Sequence, residues 1–378
     1  MTREPSKGLA GIVADYTAIS TVNQETNSLL YRGYAVEQLA RHCSMEETAW
    51  LLWHGELPTA EELDQFRGRL VECSVIPDQL QVILNSLPTD SHPMDITRTA
   101  VSILGNLSPL AMRIDPEGEQ EIAERLFAVL PAIVAGIQRR RHGLAPIPPR
   151  EDLTYSENFL WMSFGTTFPT VVTSAFQTSM ILYAEHSFNA STFAARVITS
   201  TLSDMYSAVT GAIGALKGPL HGGANEAVMA MFDEIGFGEQ APERAVEWLE
   251  QALAEKRKIM GFGHRVYRNG DSRVPMMKGA LNLLIDHFQR ADIAELYGAL
   301  EEAMVARKGI HPNLDYPSGP AYHLMGFDTP VFTPLFVASR VTGWCAHVME
   351  QRQSNALIRP LSEYNGPPER SLSTQYLR

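Results

Sequence analysis

Glu121-Ile-Ala-Glu-Arg-Leu-Phe-Ala-Val-Leu-Pro-Ala-Ile-Val-Ala-Gly-Ile-Gln138 decides the fold class. Within it Ile122, Leu126, Val129, Ile133 and Ile137 recur at three- and four-residue steps, which places them on one face of a helix. Similar steps return in Leu63, Phe66 and Leu70, in Val228, Phe232 and Ile235, in Val246, Leu249 and Leu253, and in Met277, Leu281 and Leu284. The chain is therefore read as all-α. Pro131, lacking the N–H that the helical ladder uses, is expected to kink or split the first of these helices.

Three stretches depart from plain amphipathic helix. β-Branched runs from Ile12 to Val22 and from Ser28 to Tyr31 flank the polar residues Asn23 to Asn27, which predicts a small N-terminal β-hairpin. Arg139 to Arg150, rich in arginine and proline, and the tail from Tyr364 onward read as exposed loops. Between Phe188 and Gly218, Ala194, Ala195, Ser200, Ser203, Ser207, Ala208, Gly211, Ala212, Gly214 and Ala215 predict helices buried all round that approach their neighbours closely, as at a subunit interface.

With 378 residues, 45% of them hydrophobic, the chain is long enough for a sizeable core and two domains. Its 43 acidic and 31 basic residues give a net charge of -12, which disfavours nucleic acid and anionic lipid as partners. No apolar h-region follows Met1 and no run approaches membrane-spanning length, so a cytoplasmic protein is expected. Cys43, Cys73 and Cys345 are widely separated and predict buried thiols rather than disulfides or zinc ligands.

Several tempting motifs fail. His347 and Glu350 share a helical face without further ligands at suitable spacing, so no metal is expected. Gly261-Phe-Gly263 lacks the third glycine and the preceding strand of a dinucleotide fingerprint, and Gly211 to Lys217 lacks the Ser or Thr of a P-loop. The Asn189-Ala-Ser191 sequon is incidental in a protein that is not secreted.

Four peptides remain. His221 lies in Gly218-Pro-Leu-His-Gly-Gly-Ala-Asn225, His264 in Met260-Gly-Phe-Gly-His-Arg-Val-Tyr267, His186 in Ala184-Glu-His-Ser-Phe-Asn-Ala190, and Asp315 in His311-Pro-Asn-Leu-Asp-Tyr-Pro-Ser-Gly319. Glycine beside a histidine removes bulk and admits a substrate carbonyl to the imidazole, as proton transfer requires. A structural histidine is the competing reading of each alone; the four together point to catalysis.

From Gly8-Leu-Ala-Gly11 to Ile358-Arg-Pro-Leu361 the chain resembles the citrate synthase family. The resemblance implies a helical fold whose large domain, residues 1–220 and 321–378, carries the oxaloacetate site and the dimer contacts. A small domain, 221–320, would carry coenzyme A binding and the catalytic His and Asp. It implies His221, His264 and Asp315 as the catalytic triad, and His186, Arg273, Arg340 and Arg359 as oxaloacetate ligands, with Arg359 supplied by the neighbouring subunit of a homodimer. Planar guanidinium forks suit a dianion because they bind carboxylates bidentately. It further implies coenzyme A contacts from Arg257, Lys258, Ile259, Met260, Gly261 and Arg268.

No cofactor is implied, coenzyme A arriving as a thioester substrate, and no NADH control. Pro312 to Tyr316, Val331 to Phe336, Gly343 to Arg352 and Asn355 to Pro360 look most like the 2-methylcitrate synthase branch, which implies propionyl-CoA as acyl donor with acetyl-CoA also used. Tyr316-Pro317 departs from the paired aromatics common there, and Pro317 is expected to alter the backbone beside Asp315. The alternatives are a citrate synthase of the tricarboxylic acid cycle, a lyase running the reaction in reverse, and a helical scaffold that binds without catalysis.

Overall fold

A computed structural model describes residues 6–9, 11–23, 25–267 and 270–372. Three short antiparallel strands come first: β1 Ser20–Asn23, β2 Ser28–Tyr31 and β3 Tyr34–Ala35, in the order β1-β2-β3. Arg32 and Gly33, at φ 47° and 90°, make the two-residue connection between β2 and β3, the left-handed pair that a twisted hairpin prefers. The hairpin is thus present but starts later than expected, and Ile12 and Val13 lie exposed outside it. Ser20 faces Tyr31 across the ladder, so both side chains reach the same neighbourhood.

Sixteen α-helices follow among the described residues: α1 Val36–His42, α2 Met45–His54, α3 Ala60–Cys73, α4 Asp78–Ser86, α5 Pro93–Leu107, α6 Pro116–Arg141, α7 Tyr155–Phe164 and α8 Thr170–Tyr183 in the first half. α9 Ala190–Ser200, α10 Met205–Leu216, α11 Ala224–Ile235, α12 Ala241–Ala254, α13 Val274–Phe288, α14 Ala291–Lys308, α15 Asp315–Leu324 and α16 Phe332–Gln353 complete the set. The starts obey local chemistry. Ser44, Thr59 and Thr154 close capping boxes with Glu47, Glu62 and Glu157, and Asp115, Asn189 and Asp204 cap α6, α9 and α10.

The stripe Ile122 to Ile137 is buried, as its spacing requires, and α6 packs against α3, α5, α7 and α16. Pro131 does not split α6, which runs unbroken over 26 residues. Arg139, Arg140 and Arg141 belong to its last turn rather than to a loop, where positive charge meets the unsatisfied carbonyls. There Arg140 donates to the carbonyls of Leu84 and Leu87, and Arg141 pairs with Asp328.

α16 is the buried axis of the molecule: every residue from Phe332 to Val348 is withdrawn from solvent, against α2, α6, α8, α9 and α10. The small residues of α9 and α10 do permit close approach, since a Cβ on Gly211 would lie 2.2 Å from Ile198 Cδ1. In the single chain Ser207 and Gly214 are exposed. Helices α11 to α15 pack mainly on one another, with α13 and α15 also against α8 and α11 against α16. Of the cysteines, Cys345 is buried while Cys43 and Cys73 are half-buried; all three are free thiols. Among the described residues no helix is long and apolar enough to cross a membrane, and no cluster of three His, Cys, Asp or Glu side chains could hold a metal.

Candidate active site

Two of the four peptides are joined by main-chain pairing. Phe262 and Pro312 form an antiparallel bridge, the Gly263 N–H donates to His311 O and the Asn313 N–H to Gly261 O, both at 2.9 Å. Asn313 also donates from its side chain to Gly263 O. The pairing requires Gly261, whose φ is 80° and whose place would put a Cβ 2.6 Å from Val228 Cγ2 and 3.0 Å from the Tyr316 ring. His264 and Asp315 are thereby carried on adjacent backbones.

Asp315 is the first residue of α15. Burial pushes its carboxyl up to about 6, opposed by the hydrogen bond from Tyr183 Oη to Oδ1 at 2.7 Å. Pro317 stands third in α15, within the first turn, where its missing N–H leaves no ladder position empty, so the helix carries it without interruption. Tyr316 turns away into the core between Phe262 and Tyr297.

His221 sits in the turn between α10 and α11. The backbone N–H of Ser191, at the start of α9, donates to its Nε2 at 3.2 Å, and Ser191 Oγ lies 2.8 Å from the same nitrogen. A main-chain N–H can only donate, so Nε2 is an acceptor and the proton belongs on Nδ1. Burial, with Arg340 nearby, brings the imidazole down to about 4, so it is neutral at physiological pH. Ser191 is itself held by Trp344 Nε1 and by Asn189, the cap of α9. The Asn189-Ala-Ser191 peptide, read from sequence as incidental, is the mount of a candidate catalytic histidine.

At His264 the tautomer is the opposite one. The Val266 N–H donates to Nδ1 at 3.1 Å, leaving the proton on Nε2, and burial and Arg273 bring this ring down to about 4 as well. The His264 ring lies 5.0 Å from that of His186 and 4.8 Å from that of Tyr267. His186 Nε2 meets Tyr267 Oη at 3.2 Å, and burial, then the charge of Arg273, holds it well below an ordinary histidine.

The two buried arginines near these histidines, Arg273 and Arg340, differ in what they leave free. Arg273 gives Nε and Nη2 to both oxygens of Asp271, at 2.9 and 2.7 Å, and Asp271 also accepts from the Leu314 N–H beside Asp315. Arg340 donates only from Nε, to Tyr183 O at 2.6 Å, and its Nη groups have no protein partner among the described residues. Its guanidinium lies over the Phe336 ring, which also contacts Tyr183 and His221.

The structure thus brings His186, His221, His264, Asp315, Arg273 and Arg340 into one neighbourhood, in which His186, Arg273 and Arg340 are buried and His221, His264 and Asp315 half-buried. Arg359 is not among them: it is exposed, on a segment that Asn355 and Ile358 tie to Ser200 of α9. Of the coenzyme A candidates, Arg257 pairs through both Nη groups with Glu234 and stacks on Trp248, Lys258 is exposed, Ile259 is buried and Met260 half-buried. Gly261 serves the backbone pairing above, and Arg268 lies outside the described residues.

Residues 8–361 match the family described as "Citrate synthase, C-terminal domain". The chain is 59% identical, over 97% of its length and 96% of the relative's, to the citrate synthase of Mycolicibacterium smegmatis. It is 57% identical, over 97% and 92%, to the 2-methylcitrate synthase of Mycobacterium tuberculosis. Its fold superposes with a TM-score of 0.93 and 35% identity, over all of both chains, on citrate synthase of the thermophilic archaeon Thermoplasma acidophilum in ternary complex with carboxymethyl coenzyme A and oxaloacetate. The chain belongs to the citrate synthase family.

Proposed function

We propose that the protein condenses a short acyl-CoA with oxaloacetate and hydrolyses the resulting thioester, making 2-methylcitrate from propionyl-CoA and citrate from acetyl-CoA. The observation that carries this reading is the opposed tautomers of two neutral histidines beside a carboxylate raised to about 6. One base and two imidazole donors are what enolisation followed by carbonyl attack demands.

Asp315 takes the α-proton of the thioester while His221 Nδ1–H hydrogen-bonds the thioester oxygen as negative charge develops there. The enol carbon attacks the keto carbon of oxaloacetate, forming the C–C bond, and His264 Nε2–H donates to the oxygen that becomes the hydroxyl. Water then cleaves the C–S bond, releasing the coenzyme A thiol and the tricarboxylate. His186, Arg340, the remaining Nη1 of Arg273 and Arg359 from a second subunit hold the two carboxylates in a near-attack pose. Coenzyme A runs along Arg257 to Gly261 and Arg268, and side chains alone supply the chemistry.

Residues 221–320 act as the small domain, closing on residues 1–220 and 321–378 of a homodimer to exclude water from the enol. One methylene is worth about 1–3 kcal/mol in an apolar pocket, so the two acyl donors compete rather than exclude one another. Mass analysis of products tests the reading: propionyl-CoA and oxaloacetate should give methylcitrate and free thiol in equal amounts. Thiol without tricarboxylate, or neither, sinks it.

A further inference from the structure

His186 makes one side-chain hydrogen bond to protein, to Tyr267, and its Nδ1 has no partner among the described residues. The ring is otherwise placed by packing against the rings of His264 and Tyr267. The backbone that carries it is held in a costly shape: Ser187, the next residue, is left-handed at φ 49°, a region that side chains with a Cβ avoid.

What holds that turn comes from elsewhere in the chain. The Ser187 N–H donates to Ser20 Oγ at 2.8 Å, and the same hydroxyl donates to Glu185 Oε1 at 2.9 Å. Tyr31, opposite Ser20 on β2, accepts the Glu185 N–H at 3.1 Å and donates to the Glu185 carbonyl at 2.8 Å. Glu185 Oε1 also receives His347 Nε2 at 2.9 Å; the Nδ1 of that ring faces Arg196 at 3.0 Å, and a guanidinium only donates, so Nε2 carries the proton.

The other carboxylate oxygen of Glu185 rests on Gly343 of α16, where a Cβ would lie 2.2 Å away, and the Gly343 N–H donates to Ala184 O. Glu185, Ser20 and His347 are all buried. Glu185 Oε1 takes both hydrogen bonds and Oε2 has none among the described residues, so this buried carboxylate depends on Ser20 and His347 for its hydrogen bonding.

We propose that Ser20 and Glu185 are positioning residues of the oxaloacetate pocket: from the N-terminal hairpin and the α8–α9 connection they lock the left-handed turn at Ser187 that presents His186. The inference rests on the reading of His186 as an oxaloacetate ligand and extends the site to a hairpin outside the four peptides. A purely structural role would lower stability and leave substrate constants alone.

Steady-state kinetics on the full-length protein separate the two. Ser20→Ala should raise the oxaloacetate KM by about ten- to hundredfold, with the acyl-CoA KM little changed, because small misplacements of a binding group act on that scale. Ser20→Thr, which keeps the hydroxyl, should restore most of the loss. Ser187→Gly added to Ser20→Ala should recover part of it, since glycine adopts the left-handed turn without the clamp. An unchanged oxaloacetate KM in a folded Ser20→Ala protein, or no gain from Ser187→Gly, overturns the inference. Wild-type protein without oxaloacetate-dependent turnover would instead overturn the functional reading on which it rests.

Discussion

Asp315, His221 and His264 titrate in opposite senses, and the consequences can be worked out residue by residue. The histidines ordinarily titrate near 6.5 and stand at about 4 in the fold. Between those values the unfolded chain binds protons that the folded chain refuses, so their contribution to stability is full above 6.5 and lost as pH falls toward 4. Asp315 is raised from 3.8 to about 6, so its contribution is full below 3.8 and lost as pH rises through 6. Asp315→Asn removes a buried charge and should melt higher than wild type at pH 8, the gap closing as pH falls from 6 to 4. A constant gap across a calorimetric pH series would contradict the assignment. Tyr183→Phe removes the hydrogen bond that favours the carboxylate, so if Asp315 is the base the acidic limb of the kcat/KM profile should lie near pH 6 and move upward in this variant. An unmoved limb would mean that Asp315 is not the base.

Among the elements, the bridge between Phe262 and Pro312 carries His264 and Asp315 together, and the first turn of α9 holds His221. Gly261→Ala would force a side chain into a left-handed position and against Val228 and Tyr316. Strain and overpacking together suggest a loss of about 2–5 kcal/mol in urea unfolding, with turnover falling in parallel. Stability unchanged within error would show that the backbone there rearranges freely. These elements also mark where the sequence was legible. Helical periodicity exposed the core face of α6, and glycine-flanked histidines drew attention to His221 and His264. The support for His221 and Asp315 was hidden because it is tertiary: Ser191 and Tyr183 look like ordinary helix residues until folding sets them against His221 and Asp315. Pro131 and Pro317 misled for a related reason, since a proline inside a well-packed helix, or in its first turn, loses less than its local chemistry suggests.

At the scale of the whole molecule, the exposed Arg359 gives the proposed homodimer its sharpest consequence. If each site takes Arg359 from the other subunit, Asp315→Asn and Arg359→Ala proteins should each be nearly inactive, yet regain activity when their subunits are mixed and reassembled. In the mixed dimer one site keeps both Asp315 and Arg359. No recovery, with exchange verified by native mass spectrometry, would place Arg359 elsewhere in the mechanism. On a chain of net charge -12, the buried Arg273 and Arg340 place cationic side chains at the candidate site, where a dianion would meet them.

If Asp315 and the two histidines drive condensation of an acyl-CoA with oxaloacetate, thiol release must depend on both oxaloacetate and Asp315. Propionyl-CoA and acetyl-CoA are compared in parallel for wild type and Asp315→Asn. Release is expected from both donors, with a higher specificity constant for propionyl-CoA and a loss of about 10²–10⁴-fold in the variant, the scale of a positioned general base. Preference for acetyl-CoA would make the protein a citrate synthase on the same chemistry; no oxaloacetate-dependent release, or release untouched by Asp315→Asn, would rule this mechanism out.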